Sequence, residues 1–271
     1  MNSMTNRVFE VTGVTYHYDR INALKGINVH VDRGERIALL GANGSGKSTL
    51  MKLLDGLYSP DSGSITAFGE PLTDAALQDE RFARRFRSRV GFVFQNPDVQ
   101  LFNPTVFDEI AFGPLQFEWP KDRIRSKVAE IMDLMQISHL KDRPPHRLSG
   151  GEKKRVALAS VIVLDPEVLM LDEPTDALDP KSQGQVIDFL VGWGGGAKTV
   201  LTATHNLDIV EDIADRAYIF QDGRTICEGP PSRLLTDQEL LARTGLLHAH
   251  RHIHDSGTVH SHPHAHQRHE H

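Results

Sequence analysis

Gly41-Ala42-Asn43-Gly44-Ser45-Gly46-Lys47-Ser48 has the spacing of a phosphate-cradling loop, G-x-x-x-x-G-K-S/T. Glycines let the main chain wrap an anion with its N–H groups inward, and a helix N-terminus behind the loop favours negative charge. Lys47 has the length to reach the outer phosphates of a nucleotide, and the Ser48 hydroxyl suits Mg²⁺. Much further along, Val168-Leu169-Met170-Leu171-Asp172-Glu173 reads as a buried strand delivering two carboxylates at its C-terminal end. Ligands collect at that end of strands in open α/β sheets. One of the two carboxylates can hold Mg²⁺ while its neighbour polarises an attacking water. Alone, an apolar strand ending in Asp-Glu is weak evidence; paired with the phosphate loop it specifies hydrolysis of a Mg-nucleotide.

These groups need elements to carry them. Alternation in Val8-Phe9-Glu10-Val11-Thr12-Gly13-Val14 and in Ile27-Asn28-Val29-His30-Val31 predicts antiparallel edge strands. The apolar run 37–40 predicts a buried strand entering the glycine loop, and helical spacing follows over 48–57. Residues of about 96–160 are helical in character, with three- and four-residue apolar spacing over 124–134. Buried-strand runs return at 168–171 and 200–203, the glycine cluster 192–196 reads as a loop, and Asp222-Gly223 is a hairpin turn signal. The expected fold is an α/β parallel-sheet core with an antiparallel edge and a helical insertion.

The chain has 271 residues, 30 Lys and Arg against 36 Asp and Glu, and a formal charge of −6, which argues against a nucleic-acid partner bound through bulk positive charge. The single cysteine, Cys227, excludes an internal disulfide and a cysteine-built zinc site, and reads as a small buried strand residue. No apolar run is long enough to cross a bilayer and the first ten residues lack a signal-peptide pattern, so an intracellular domain is expected. The run Arg81, Arg84, Arg85, Arg87, Arg89 reads as a solvated helix face.

Leu148-Ser149-Gly150-Gly151-Glu152, a short helix ahead of the Asp-Glu strand, resembles the signature motif of ABC ATPases. Gln95, in Phe92-Val93-Phe94-Gln95-Asn96-Pro97, is similar to that family's Q-loop glutamine; Ala177-Leu178-Asp179 resembles the D-loop and His205 the switch histidine. Tyr18 falls where the adenine-stacking aromatic is found, with Tyr16 as a competitor. The resemblance implies a P-loop NTPase cassette of ABC type: a RecA-like parallel sheet core, an antiparallel β edge subdomain and a helical signature subdomain. It implies ATP and Mg²⁺, the metal on Ser48, Gln95 and Asp172, and hydrolysis assisted by Glu173, Gln95 and His205. It further implies two cassettes head to tail, each nucleotide held by the 41–46 loop, Lys47, Ser48 and Thr49 of one chain and by Ser149, Gly150 and Gly151 of the other, with Asp179 nearby. The residues agree, because a serine- and glycine-bearing loop opening a helix is a second anion site, yet the chain has only one phosphate loop. A homodimer or a paralogous heterodimer is expected.

Transport then requires integral membrane subunits, and places the chain peripherally on the cytoplasmic face of the membrane. The segment Asn96-Pro97-Asp98-Val99-Gln100-Leu101-Phe102 resembles that of energy-coupling-factor ATPases, nearest their cobalt and nickel importers. Importers of another substrate, such as a vitamin, and non-transport ABC ATPases are the alternatives.

Ten of the fifteen histidines lie in 248–271, dividing the chain into a cassette, 1–247, and a tail expected to lack fixed structure. His248, His250, His252 and His254, then His260, His262, His264 and His266, alternate at period two. In an extended chain such residues share a side, where neutral imidazoles suit Ni²⁺, Co²⁺, Cu²⁺ or Zn²⁺. A solvated extension and an expression tag are the plainer readings, although Asp255, Pro263 and Glu270 interrupt the pattern in a way a tag does not.

Overall fold

A computed structural model describes residues 6–193, 196 and 198–247, and the backbone of 249–253 and 259–263. The two alternating runs form β1 (Arg7–Tyr18) and β2 (Ile21–Asp32), a long antiparallel pair. There follow β3 (Arg36–Leu40), α1 (Lys47–Leu54), β4 (Ser62–Ala67), β5 (Glu70–Pro71), α2 (Asp74–Gln78), α3 (Glu80–Arg89) and β6 (Val90–Val93). A helical stretch comprises α4 (Val106–Gln116), α5 (Lys121–Leu134) and α6 (Gly150–Ile162). The chain then runs through β7 (Val168–Asp172), α7 (Pro180–Trp193), β8 (Thr199–Thr204), α8 (Val210–Ile213), β9 (Arg216–Gln221), β10 (Arg224–Gly229), α9 (Pro231–Leu234) and α10 (Gln238–Arg243). Two tail strands, β11 (Ala249–Ile253) and β12 (Val259–Pro263), pair antiparallel where the composition suggests no fixed structure.

One sheet has the order β2-β1-β4-β5 and is antiparallel throughout. The other has the order β10-β9-β3-β8-β7-β6, parallel except for the β9–β10 hairpin at its edge. Its strands read as unbroken apolar runs because both faces are buried. Ile37 and Leu39 face the core shared with α1 and the antiparallel sheet, whereas Ala38 and Leu40 face the core under α4, α5 and α6. Val168 and Met170 against Leu169 and Leu171 repeat this division on β7.

The arginine face of α3 is solvent-exposed as expected, with ion pairs along it: Arg85 with Glu70, Arg84 with Glu118, and the half-buried Arg89 with Glu167 while stacking 3.4 Å over the Phe68 ring. One local expectation is corrected. Helix α7 continues through Gly192 into the expected loop, with Phe189 and Trp193 packed 5.6 Å apart one turn from each other. The Asp222-Gly223 turn forms with both residues at positive φ, 50° and 76°, as a tight hairpin with the twist of its strands requires.

Parallel register sets up the chemistry. In the order β3-β8-β7-β6, Leu40 pairs with Thr204, Ala203 with Asp172, and Leu171 with Val93. The segments leaving these strands, 41–46, His205, Glu173 and Gln95, therefore emerge side by side on one edge. Leu39, fully buried in β3 beneath that edge, tests the dependence. Leu39→Ala should cost about 2–5 kcal/mol of stability, read as a lowered urea midpoint.

Candidate functional site

The loop from β3 to α1 closes tightly. Gly46 has φ +110°, and a Cβ there would lie 2.8 Å from Leu24 Cδ2 and 2.9 Å from the Ala23 carbonyl, so only glycine fits. Asn43 and Gly44 are exposed at the loop tip, while Ser45, Lys47 and Thr49 are buried. Lys47 Nζ donates to the Gly41 carbonyl at 2.6 Å and lies 3.7 Å from Glu173 Oε1. Burial lowers its pKa, with Glu173 and then Asp172 opposing that shift.

Beside it Ser48 Oγ donates to Asp172 Oδ1 at 2.9 Å, joining the two motifs across 124 residues. Burial raises the Asp172 pKa and the Ser48 bond pulls it back. Glu173, 4% exposed, sits at a left-handed corner with φ +44°, its N–H held by the Ala203 carbonyl at 2.9 Å. Its Oε2 accepts the His205 main-chain N–H at 3.3 Å and its Oε1 lies 3.0 Å from His205 Nδ1. The edge thus unites Lys47, Ser48, Asp172, Glu173 and His205. Gln95 leaves β6, and its Nε2 donates to Asp176 Oδ2 at 3.0 Å, which fixes the sense of the amide.

A Mg-nucleotide fits these groups. Ser45 Oγ is buried with no hydrogen-bond partner, a hydroxyl available to a phosphate oxygen. Glu173 Oε1 likewise makes no hydrogen bond. The hard oxygens of Ser48 and Asp172 suit Mg²⁺.

Ser149 caps α6 reciprocally: its Oγ accepts the Glu152 N–H at 3.3 Å, and Glu152 Oε2 accepts the Ser149 N–H at 2.7 Å. This bond lowers the Glu152 pKa and leaves the helix N-terminus facing outward, with Ser149 and Gly150 exposed. Gly151 packs on α7, where an added Cβ would fall 2.2 Å from Ser182 Oγ. That hydroxyl donates to Asp179 Oδ2 at 2.6 Å, and Asp179 Oδ1 accepts the Lys181 and Ser182 N–H groups. Asp179 thus caps α7 and braces the Ser149 loop. Tyr16 stacks on Tyr58 at 5.4 Å and 13°, whereas Tyr18 meets both only edge-on. Neither partner stacks parallel on the Tyr18 ring.

Lys154 and Asp176 escape the sequence reading. Lys154 lies in a Glu-Lys-Lys-Arg run that reads as solvent-facing, yet it shares a helix face with Gly151 and Leu158, and that spacing was the available signal. Its ammonium donates to the carbonyls of Phe94, Gln95 and Glu173. Burial lowers its pKa to about 8 against the pull of Asp172, Asp176 and Glu173.

A glycine loop, a buried lysine and a carboxylate pair gathered at one sheet edge are the features that define the P-loop nucleotide hydrolases. Within that class the chain belongs to the ABC transporter family, whose sequence profile matches residues 24–176. It is 53% identical over 242 residues to the nickel import ATP-binding protein NikO of Rhodobacter capsulatus, covering 88% of this chain and 95% of that one. It is 41% identical to the energy-coupling factor transporter ATP-binding protein EcfA of Methanothermobacter thermautotrophicus, over 88% and 76% of the two chains. Among solved structures, cbiO1 of Clostridium perfringens, part of the ABC transporter complex cbiONQ, superposes with a TM-score of 0.75 at 38% identity, over 89% and 95%. The dimeric cassette MJ0796 bound to ADP and Pi gives 0.73 at 27%, over 82% and 98%.

Gly151→Ala tests the brace. The added methyl collides with Ser182, so ATP turnover should fall at least about tenfold while ATP affinity, measured by titration, stays near that of the parent protein.

Proposed function

We propose that the chain is the ATP-hydrolysing, energy-coupling subunit of a nickel or cobalt importer. The observation that carries this is the 53% identity to a nickel import ATP-binding protein along nearly the whole cassette. In this reading two cassettes close on two nucleotides. The 41–46 loop, Lys47, Ser48 and Thr49 bind the phosphates of one ATP, and Tyr18 stacks on its adenine. Ser149, Gly150 and Gly151 of the opposing cassette cover the terminal phosphate with a helix N-terminus. One phosphate loop and one capped Ser149 helix per chain support the pairing.

Ser48, Asp172 and Gln95 would hold Mg²⁺, which when bound spreads the charge developing on the transferred phosphoryl group. Lys47 exchanges the Gly41 carbonyl for a phosphate oxygen. Glu173 accepts the proton of the attacking water, and His205, 3.0 Å from its Oε1, orients the carboxylate and the nucleotide's end.

No helix among the described residues is long and apolar enough to cross a membrane. In this reading the work passes to separate membrane subunits, with the cassette on their cytoplasmic side. A docking face is supported by exposed apolar side chains, Phe102 at 68% and Phe112 of α4 at 37%. Phe102 and Phe112 meet edge-on at 5.0 Å, giving an apolar patch directly after Gln95.

The tail supplies a metal-holding segment. In the β11–β12 ladder His250 lies opposite His262 and His252 opposite His260, so these four positions share one face. His248, His254, His264 and His266 lie outside the described residues.

Glu173→Gln keeps shape but removes the base. Turnover should fall about 100- to 10 000-fold while ATP still binds and accumulates a dimer detectable by light scattering; near-parental turnover would exclude Glu173 as the base. A chain ending at Leu247 should keep its ATPase activity but lose most Ni²⁺ and Co²⁺ binding by calorimetry at about pH 7.5, where imidazoles are neutral. Binding by the full chain should weaken as pH falls through about 6.5, because protonated imidazole cannot ligate. Equal metal binding by the two forms would remove the tail from this reading.

A further inference from the structure

Lys154 is 2% exposed, and its charge lies where nothing in the hydrolytic chemistry above requires a cation. Its Nζ is 3.0 Å from the Gln95 carbonyl, 3.2 Å from that of Phe94 and 3.3 Å from that of Glu173. The β6–β7 ladder ends at Val93 with Leu171, so these three carbonyls lie just beyond the reach of sheet pairing. An ammonium has three donors, and each is used here.

The same helix is laced to the Gln95 segment further along. Lys153 pairs with Asp98 at 2.6 Å, and Gln100 donates to the Ala157 carbonyl at 2.9 Å while its Oε1 accepts the Phe94 N–H at 3.2 Å. Residues 94–100 therefore travel with α6, and α6 begins at Ser149. At the other side of the clamp is the left-handed Glu173 corner. Its N–H is fixed by Ala203 and its carbonyl by Lys154, so the orientation of its carboxylate depends on both.

We propose that Lys154 is a positioning residue for hydrolysis, tying the Gln95 main chain to the Glu173 corner so that both follow the helix that presents Ser149. Seating of Ser149 on the nucleotide of a partner cassette is thereby felt at the chain's own Glu173 and Gln95. This second clause rests on the paired-cassette reading; the clamp itself does not.

The test uses the full-length chain. Lys154→Met preserves the apolar stem and removes all three donors, and Lys154→Arg preserves charge and donors. For Lys154→Met, kcat for Mg-ATP should drop about 10- to 100-fold, since a small misplacement of reacting groups has that effect. KM and ATP affinity should change by less than about twofold, because the clamp bonds main-chain carbonyls alone and no group of the phosphate loop 41–49. The Hill coefficient for ATP should fall toward unity, and Lys154→Arg should recover most of kcat. Parental kcat in a folded Lys154→Met protein overturns the proposal. So does a parallel loss of kcat, ATP affinity and melting temperature that Lys154→Arg does not repair, which marks a merely structural lysine. If Lys154→Met fails to fold, Lys154→Gln, with two donors, carries the same comparison. Light scattering of the parental chain with ATP separates the two ideas: absence of a dimer there defeats the paired reading, whereas the kcat comparison still decides the clamp.

Discussion

A parallel ladder buried on both faces can offer its loops to solvent only at its two edges. That constraint governs this molecule. Four neighbouring strands, β3, β8, β7 and β6, all point the same way, and each ends in a segment that contributes a side chain to the candidate site. No long-range search brings Lys47, His205, Glu173 and Gln95 together; the register of apolar strands does. The helical and antiparallel layers cover the two faces, and by doing so they allow the strands to be apolar throughout.

Burying charge at that edge is costly, and the site meets the cost by balance. Lys47 and Lys154 are both buried, against the buried carboxylates of Asp172 and Glu173 with Asp176 at the surface. Each lysine is lowered in pKa by desolvation and held up by the acids, and Asp172 shows the mirror effect. Removing one member leaves its partners uncompensated in a poorly solvated place. Lys47 bonds only carbonyls of its own loop, Gly41 and Ala42. Lys154 bonds carbonyls of the two segments that leave β6 and β7.

Motifs dictated by backbone geometry were legible in the sequence. The glycine loop, the Asp-Glu strand end and the Asp222-Gly223 turn each need particular residue types at particular places, and each formed as expected. The alternating runs of β1 and β2 were equally plain, because a strand with one buried face has period two. Less legible were features set by contacts distant in sequence. The pairing of Arg85 with Glu70 and Arg89 with Glu167 depends on how α3 lies across the sheet, which no local pattern encodes. Lys154 was hidden for the opposite reason. Its neighbours Glu152, Lys153 and Arg155 are charged and only half-buried, and only the helical phase relative to Gly151 betrays it. The short strands β4 and β5 follow turn chemistry too closely to show a period of their own.

The corner at Glu173 has one more consequence. Its φ of +44° is a conformation that glycine adopts freely and that a carboxylate-bearing residue occupies at a cost. Folding and chemistry therefore prefer different residues at this position. A chain that drifted to glycine there would relieve the main chain but leave Lys47 and Lys154 with one buried carboxylate fewer to face. The two effects act in opposite senses on the folded chain, so melting would register less than either alone implies. In the proposed reading such a chain would keep its phosphate loop and its face for a partner while losing its base, and would occupy a place in an assembly without turning over.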